Sequence, residues 1–202
     1  MARSLIWFRG SDLRISDQAA LLAAAAADEM AAVFFLPEDG ERPGHDRFLR
    51  ESVAELAASI AGLGGRLDLI AGDPSERLPV MARELSVDAV HTLSGTLPAE
   101  AQLDAALTDR LGDLLHLHPG HTLAPPGSVR SGSGSPYAVF TPFAKRFRET
   151  VSVEPSLALP KRLPPPPPDW APDPIAFDPR DDVGGITGGG AAARPDAEWP
   201  RG

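Results

Sequence analysis

Five short apolar runs alternate with four helical segments in the first 117 residues, and this alternation constrains the fold more than any other feature. The apolar runs are residues 5–8, 31–36, 66–70, 89–93 and 114–117. They have the length and composition of strands buried on both faces. The helical segments are residues 18–27, 46–63, 74–85 and 98–111. Because strands linked by single helices form parallel sheets, we predict a doubly wound, Rossmann-like α/β domain with a five-stranded parallel sheet and helices on both faces.

The helical segments carry their own packing and capping signals. Seven apolar residues of the second segment recur at helical spacing, and we expect all of them on the face that packs against the sheet. They are Phe48, Leu49, Val53, Leu56, Ala57, Ile60 and Leu63. Asp17 and Asp73 stand where N-caps of the first and third helices belong. Pro74 suits the first helical position, and Glu76 is placed to complete a reciprocal capping pair.

The charged turn after the first strand is the first place to look for a site. Ligands of open parallel sheets bind at the carboxyl ends of the strands. Arg9, Asp12 and Arg14 lie in this turn, and Leu36 ends the second strand. We predict that these four residues contact a ligand. The structural alternative is that the three charged residues and Asp17 pair with one another and fix the loop.

Composition excludes several kinds of chemistry. The 202-residue chain has no cysteine, so disulfides, thiolate metal sites and cysteine nucleophiles are ruled out. Its net charge of -9 argues against independent binding to DNA, and we interpret the basic residues of 145–148 as a solvated helix face. We identify no catalytic residues, since the chain has neither a glycine-rich phosphate loop nor a serine with an ordered base. Without a signal peptide or a membrane span, we expect a soluble cytoplasmic protein.

Three histidines near the fifth strand raise the question of a metal site. His116 and His118 share one strand face by spacing, and His121 lies beyond the next turn. Imidazole is a common metal ligand. However, no carboxylate or thiolate stands nearby in the sequence to complete a ligand set. We therefore predict no metal site here and interpret these residues as strand-end histidines.

The composition changes at Leu163. Residues 163–202 hold ten of the 22 prolines, with an unbroken proline run at 164–168 and five glycines within 184–190. Such a segment is expected to bury too little apolar surface to become ordered. We divide the chain into an α/β domain at 1–150 and a Pro/Gly-rich linker or disordered tail at 151–202.

An ordered series of motifs resembles the DNA photolyase and cryptochrome family. The motifs are Trp-Phe-Arg at 7–9, Asp-Leu-Arg at 12–14, Phe-Leu-x-Glu-Ser at 48–52, Leu-Gly-Gly at 63–65, Gly-Asp-Pro at 72–74 and Tyr-Ala-Val-Phe-Thr-Pro-Phe at 137–143. Their order and spacing resemble the antenna domain of the family over roughly residues 4–148. In two departures, the first turn is one residue longer and Gln18 replaces the usual asparagine.

The resemblance implies a site for a light-harvesting chromophore. Family members hold a folate, a deazaflavin or a flavin such as FMN between the sheet and its loops, and the resemblance places Arg9, Asp12, Arg14 and Leu36 there. Glu100 aligns with a glutamate that contacts folate, although Ala99 replaces the neighbouring asparagine. The alternative for Glu100 is a first-turn glutamate that interacts favourably with the helix dipole.

The resemblance also implies a partner. Family members join the antenna domain to a helical domain that holds FAD and docks DNA, and residues 188–193 resemble the entry to it. We expect no FAD and no DNA repair from this chain alone, and a separate FAD-binding helical domain or chain as its partner. The alternatives are a small nucleotide-, ligand- or partner-binding α/β module and a non-functional truncated remnant. An exposed apolar surface of more than a few hundred Å² would favour a partner or a remnant.

Overall fold

The computed structural model describes residues 1–36 and 43–172. The elements in chain order are β1 (Arg3–Phe8), α1 (Ala19–Ala24), β2 (Glu29–Phe35), α2 (Pro43–Gly62), β3 (Leu67–Ile70), α3 (Pro74–Glu84), β4 (Ala89–Leu93), α4 (Pro98–Leu111), a short 3₁₀ turn (Gly112–Leu114), β5 (Leu115–His118) and α5 (Phe140–Thr150). All strand pairs are parallel, and the spatial order is β3-β2-β1-β4-β5. The predicted doubly wound five-stranded fold is confirmed.

Alternating residues of β1 explain how the sheet supports two hydrophobic cores. Leu5 and Trp7 face the layer of α3 and α4, whereas Ile6 and Phe8 face the layer of α1 and α2. Successive side chains of a strand point to opposite faces, so an unbroken apolar run fills both layers. This places β1 at the centre of the domain. Its carboxyl end lies at the switch between β1 and β4, where the strand order reverses.

The start of α1 differs from the prediction. Asp17 has a φ of 49°, and the N-cap is Gln18, whose side chain accepts a hydrogen bond from the Ala20 N–H at 3.3 Å. The Asp17 carboxylate accepts instead from the Leu157 N–H at 2.9 Å. Asp17 therefore ties a distant segment to the first turn, and the predicted cap at this position is wrong.

The start of α3 follows the prediction more closely. The Asp73 carboxylate accepts from the Ser75 N–H at 2.7 Å, and Pro74 is the first helical residue. The Glu76 carboxylate forms an ion pair with Arg110 at 2.9 Å instead of the predicted reciprocal bond. The cap is thus built by Asp73, while Glu76 links α3 to α4.

The proline-rich segment at 163–170, called the strap below, packs against the domain. Leu163 is only 1% exposed within the core of the α1–α2 layer. Its N–H donates to Leu63 O at 2.8 Å, and Pro165 O accepts from the Met30 N–H at 3.0 Å. The Trp170 indole N–H donates to Asp68 at 2.7 Å. The expectation that this stretch buries too little apolar surface is therefore wrong for the strap, because one leucine and one tryptophan anchor it.

Two of the segments singled out from the sequence fall wholly or mostly outside the described residues. The segment resembling the entry to a helical domain, residues 188–193, lies outside the described residues, as does most of the predicted loop at 37–44. The domain boundary at 150 stays a prediction. Among the helices of residues 1–36 and 43–172, none has both the length and the apolar character needed to cross a membrane. The cytoplasmic location also stays a prediction.

Candidate functional site

A cavity of about 440 Å³ opens beside the carboxyl end of β1. The loop between β1 and α1 forms one wall, and one face of α2 forms the other. The lining residues are Gly10, Ser11, Leu13, Arg14, Ile15, Ser16, Phe48, Ser52, Glu55, Leu56 and Ser59. Its volume falls in the range of small-molecule sites, roughly 300–1,000 Å³. The cavity also lies at the sheet edge where ligands of doubly wound folds bind.

Two neighbouring stripes of α2 explain how one helix serves both the core and the cavity. The core stripe consists of Leu49, Val53, Leu56 and Ile60. The cavity stripe, one residue out of phase, consists of Phe48, Ser52, Glu55 and Ser59. Both follow helical spacing. The sequence prediction that Phe48 packs with the core is wrong, since its side chain is 70% exposed. The polar spacing of the cavity stripe was the signal that could have identified it.

Arg9 is buried and does not line the cavity. Its Nε donates to Thr92 Oγ1 at 3.3 Å, and its Nη2 forms an ion pair with Asp104 of α4. The guanidinium carbon lies 4.2 Å from the centroid of the Trp7 ring, a cation–π geometry. Nη1 is buried without a hydrogen-bond partner among the described residues. Arg9 therefore joins β1 to β4 and α4 beneath the loop.

Asp12 fixes the turn from inside the domain. Its carboxylate accepts from the Arg9 backbone N–H at 2.5 Å and from Gln18 Nε2 at 3.4 Å. Burial raises the pKa of Asp12 to about 6, against the opposing effect of these hydrogen bonds and the nearby arginines. Gln18, which stands where the resemblance leads us to expect an asparagine, therefore contacts Asp12.

Arg14 lies in the cavity wall and is held by backbone oxygens. Its Nη2 donates to Gly120 O at 2.7 Å and to Asp17 O at 3.3 Å. These contacts join the first turn to the segment after β5. Arg14 is the one residue among the five predicted ligand contacts that lines the cavity. Its guanidinium offers further N–H groups to a polar ligand.

Glu100 and Leu36 lie apart from the cavity lining. The Glu100 carboxylate accepts from the backbone N–H groups of Thr96 at 2.9 Å and Leu97 at 3.0 Å. The Leu97 N–H is the main cause that lowers the pKa of Glu100. Leu36 packs against the α1–α2 core, and its N–H donates to Ile70 O. The ligand contacts predicted for both residues stay predictions, while the geometry of Glu100 matches the helix-start alternative.

A histidine cluster lies on β4 and β5. The set differs from the three histidines considered from sequence spacing, because His91 joins His116 and His118. His91 Nδ1 lies 3.0 Å from His118 Nε2, and the His91 and His116 rings stack with centroids 5.1 Å apart. Burial, followed by the charges of its two neighbours, lowers the pKa of His91 to about 4. His121 is not part of this cluster. No group suited to a metal ion occurs within residues 1–36 and 43–172.

The second exposed feature is the aromatic face of α5, formed by Phe140, Phe143 and Phe147 with the preceding Tyr137. Ring centroids follow one another at 5.9–6.4 Å along this face. No residue of α5 is buried, and Phe140 is 74% exposed. Contiguous exposed apolar surface marks interaction sites on soluble proteins. The domain thus has two distinct surface features, the cavity at the sheet edge and the aromatic face of α5.

The fold and the cavity together define the class of protein: a doubly wound α/β domain with a cavity at the carboxyl edge of its sheet. Comparison with known proteins identifies the family within this class. Residues 4–168 match the DNA photolyase family. The chain is 35% identical over 166 residues to a deoxyribodipyrimidine photo-lyase of Thermus thermophilus, covering 81% of this chain and 37% of that protein. The chain belongs to the DNA photolyase family and corresponds to the N-terminal domain of photolyases and cryptochromes.

Solved structures agree with this assignment. A bacterial class III photolyase from Agrobacterium tumefaciens superposes with a TM-score of 0.78 at 29% identity, covering 87% of this chain and 37% of that protein. An archaeal photolyase from Sulfolobus tokodaii, described with two FAD molecules and a novel light-harvesting cofactor, shares the fold with a TM-score of 0.61 at 18% identity, covering 81% of this chain and 38% of that protein. The chain thus spans well under half the length of these relatives.

Proposed function

We propose that this domain is an antenna: it binds a light-harvesting chromophore and passes excitation to a flavin held elsewhere. The cavity of about 440 Å³ at the carboxyl edge of the sheet is the observation that carries the proposal. Family membership supports it, and the light-harvesting cofactor described for the Sulfolobus tokodaii photolyase provides a precedent on the same fold. A bound chromophore would supply light absorption, and the protein would supply a rigid, oriented site.

The residues of the cavity fit a flat heteroaromatic ligand. The hydroxyls of Ser11, Ser16 and Ser59 can donate or accept hydrogen bonds along the polar edges of such a ring. The Ser52 hydroxyl donates to Phe48 O and can accept one from the ligand. Arg14 offers N–H donors on the loop side, and the Glu55 carboxylate offers an acceptor on the helix side. A folate, a deazaflavin and FMN remain the candidate chromophores. Glu100 does not line this cavity, and the folate contact that the resemblance implies for it stays a prediction.

We assign FAD and DNA to a partner domain or chain instead of to this one. The described residues form one α/β domain without further helical layers. The net charge of -9 opposes independent binding to DNA phosphates. Light-dependent repair in the family requires FAD, so we propose that this chain alone does not repair DNA.

The partner docks on the aromatic face of α5. This helix begins within residues 137–143, the motif that resembles the segment closing the antenna domain, and it precedes the stretch that resembles the linker to the helical domain of the family. Phe140 is exposed and Phe143 and Phe147 are partly buried, so this face offers apolar surface to a second domain. We therefore name the FAD-holding helical domain or chain as the occupant, in preference to an isolated remnant with no partner.

Spectroscopy tests the chromophore. The full chain, purified from its native host, is examined from the near ultraviolet to the blue before and after incubation with folate, a deazaflavin and FMN. A retained absorption band after gel filtration supports an antenna. Absorption from tryptophan and tyrosine alone under every condition contradicts it and leaves the partner-binding module or the remnant.

The partner is tested separately through its flavin. The tagged chain is recovered from its native host together with any bound protein, and the FAD content of the complex is measured. We expect FAD with the wild type and its loss with the double variant F140D/F143D. A complex without FAD, or one that is indifferent to these substitutions, contradicts the proposed docking.

A further inference from the structure

Phe48 occupies an unusual position on α2. The turn that contains it also contributes Leu49 to the core, yet the Phe48 ring is 70% exposed at the cavity. Burial of a phenylalanine ring is strongly favourable, and large aromatic side chains are seldom left in water without a partner. Its backbone is held in place, because Ser52 Oγ donates to Phe48 O at 2.8 Å. The ring therefore presents apolar surface to the cavity from a helical backbone.

The rest of the cavity stripe is polar. Ser52, Glu55 and Ser59 follow Phe48 at helical spacing along the same face of α2. The opposite wall comes from the loop that carries Arg14, and at Gly10 this wall has no side chain. A ligand entering the cavity thus meets one aromatic ring at one end of α2, hydrogen-bonding groups along the rest of the stripe, and the aliphatic side chains of Leu13, Ile15 and Leu56. This pattern suits a ligand that is flat and apolar on its faces and polar at its edges.

We propose that Phe48 is the residue that selects a flat polycyclic ring, by stacking against it while the serines and Glu55 contact the ring's edges. This inference rests on the proposed chromophore site and deepens it to a single residue. A stacked ring covers the exposed face of Phe48 and gains the interaction of two aromatic systems. Ligands without such a ring lose this contact and retain those to the polar groups and to the aliphatic side chains of Leu13, Ile15 and Leu56. A residue interpreted from periodicity as core is then the specificity determinant of the cavity.

The test measures the binding of FMN, a deazaflavin and a folate to the full chain by ligand fluorescence and absorption. Replacing the ring by F48A should weaken binding about tenfold and abolish the stacking-induced shift of the ligand's absorption band. F48L keeps an apolar side chain without a ring and should likewise lose the shift, whereas F48W should retain both affinity and shift. L123A, which removes a side chain that is 66% exposed and lies outside the cavity lining, should bind as the wild type does.

The outcomes separate the inference from the proposed function. Wild-type binding that F48A and F48L leave unchanged overturns the role of Phe48 while the antenna site stands. The absence of wild-type binding to all probes overturns the proposed function and the inference together. Circular dichroism of each variant verifies folding, which we expect to be unaffected because the ring is largely outside the core.

Discussion

The guanidinium of Arg9 and the carboxylate of Asp104 form a buried ion pair across 95 residues of sequence. The second oxygen of Asp104 accepts from the Gly95 N–H at 2.7 Å. One side chain therefore fixes the end of β1, the loop after β4 and the body of α4. This loop is also where Gly95 approaches Glu100 so closely that a Cβ atom would lie 2.2 Å from the Glu100 Cβ.

Removing Asp104 should destabilise the domain strongly. In D104A the Arg9 charge stays buried without its partner, and we expect a loss of roughly 3–5 kcal/mol in the free energy of unfolding. Urea denaturation measures it. The matched control is E51Q, which breaks the exposed ion pair with Arg47 and should cost less than about 1 kcal/mol. Equal effects of the two substitutions would show that the buried pair has no special importance.

Two substitutions of Asp12 should differ in their effect on the free energy of unfolding. D12N keeps an oxygen that accepts from the Arg9 N–H and removes a charge that burial disfavours, so we expect little loss of stability. D12A leaves that buried donor unsatisfied and should cost about 1–3 kcal/mol. Urea denaturation at pH 7 compares them. Indistinguishable variants would contradict the role of Asp12 as the acceptor that holds the turn.

The pKa of Asp12 also predicts a pH dependence. Because it is raised to about 6 in the folded protein, the folded state binds a proton between pH 4 and 6 that the unfolded chain has released. The contribution of this group to stability therefore grows as pH falls from 6 to 4. D12N should lack this gain, which is visible as a difference between the two pH profiles.

The titration of His91 should change the stability with pH in the direction opposite to that of Asp12. Its pKa is lowered to about 4, so the unfolded chain binds the proton between pH 6.5 and 4 while the folded protein does not. The stability contributed by neutral His91 is lost as pH falls through this window. We expect a loss on the order of 1 kcal/mol between pH 7 and 5, discounted for partial access to solvent, and a flatter profile in H91L. Identical profiles for H91L and wild type would disprove this.

Periodicity predicted the sheet well and the surface of α2 poorly, for one physical reason. The bounds of β4 and α4 match the prediction residue for residue, because a buried strand and a helix with one packed face each leave a regular apolar pattern. Phe48 belongs to the same helix as the core residues but points to the neighbouring stripe. The spacing of apolar residues alone does not distinguish a ring packed in the core from a ring exposed at the cavity.

The contacts of the predicted site residues were likewise not predictable from the local sequence. Arg9 and Asp12 follow the carboxyl end of a strand, where ligands bind, yet both are buried: Arg9 pairs with the distant Asp104, and Asp12 accepts from the backbone N–H of Arg9. The partner of Arg9 is on α4 and that of Arg14 is Gly120, and neither has a local signal. Asp17 has the chemistry of an N-cap, but its positive φ turns it toward Leu157. The local sequence indicates which chemical group a residue offers, whereas the tertiary fold determines which partner that group contacts.

Leu163 provides a test of the strap. L163A should cost about 2–5 kcal/mol, since the side chain is 1% exposed and packs among residues of the α1–α2 layer. The control L159A removes a leucine that is 48% exposed and should change stability by less than about 0.5 kcal/mol. Both are measured by urea denaturation. A negligible effect of L163A would mean that the strap behaves as the linker predicted from composition.

The location of the chromophore is the central claim, and backbone NMR tests it most directly. The full chain, labelled with ¹⁵N, is titrated with FMN, with the deazaflavin and with the folate. We predict chemical-shift changes concentrated at the two cavity walls, with Gly10, Ser11, Ser52 and Ser59 among the most affected amides. A separate cavity lies between Glu76 of α3 and Arg110 of α4. Chemical-shift changes concentrated there, or no chemical-shift changes with any ligand, would contradict the account.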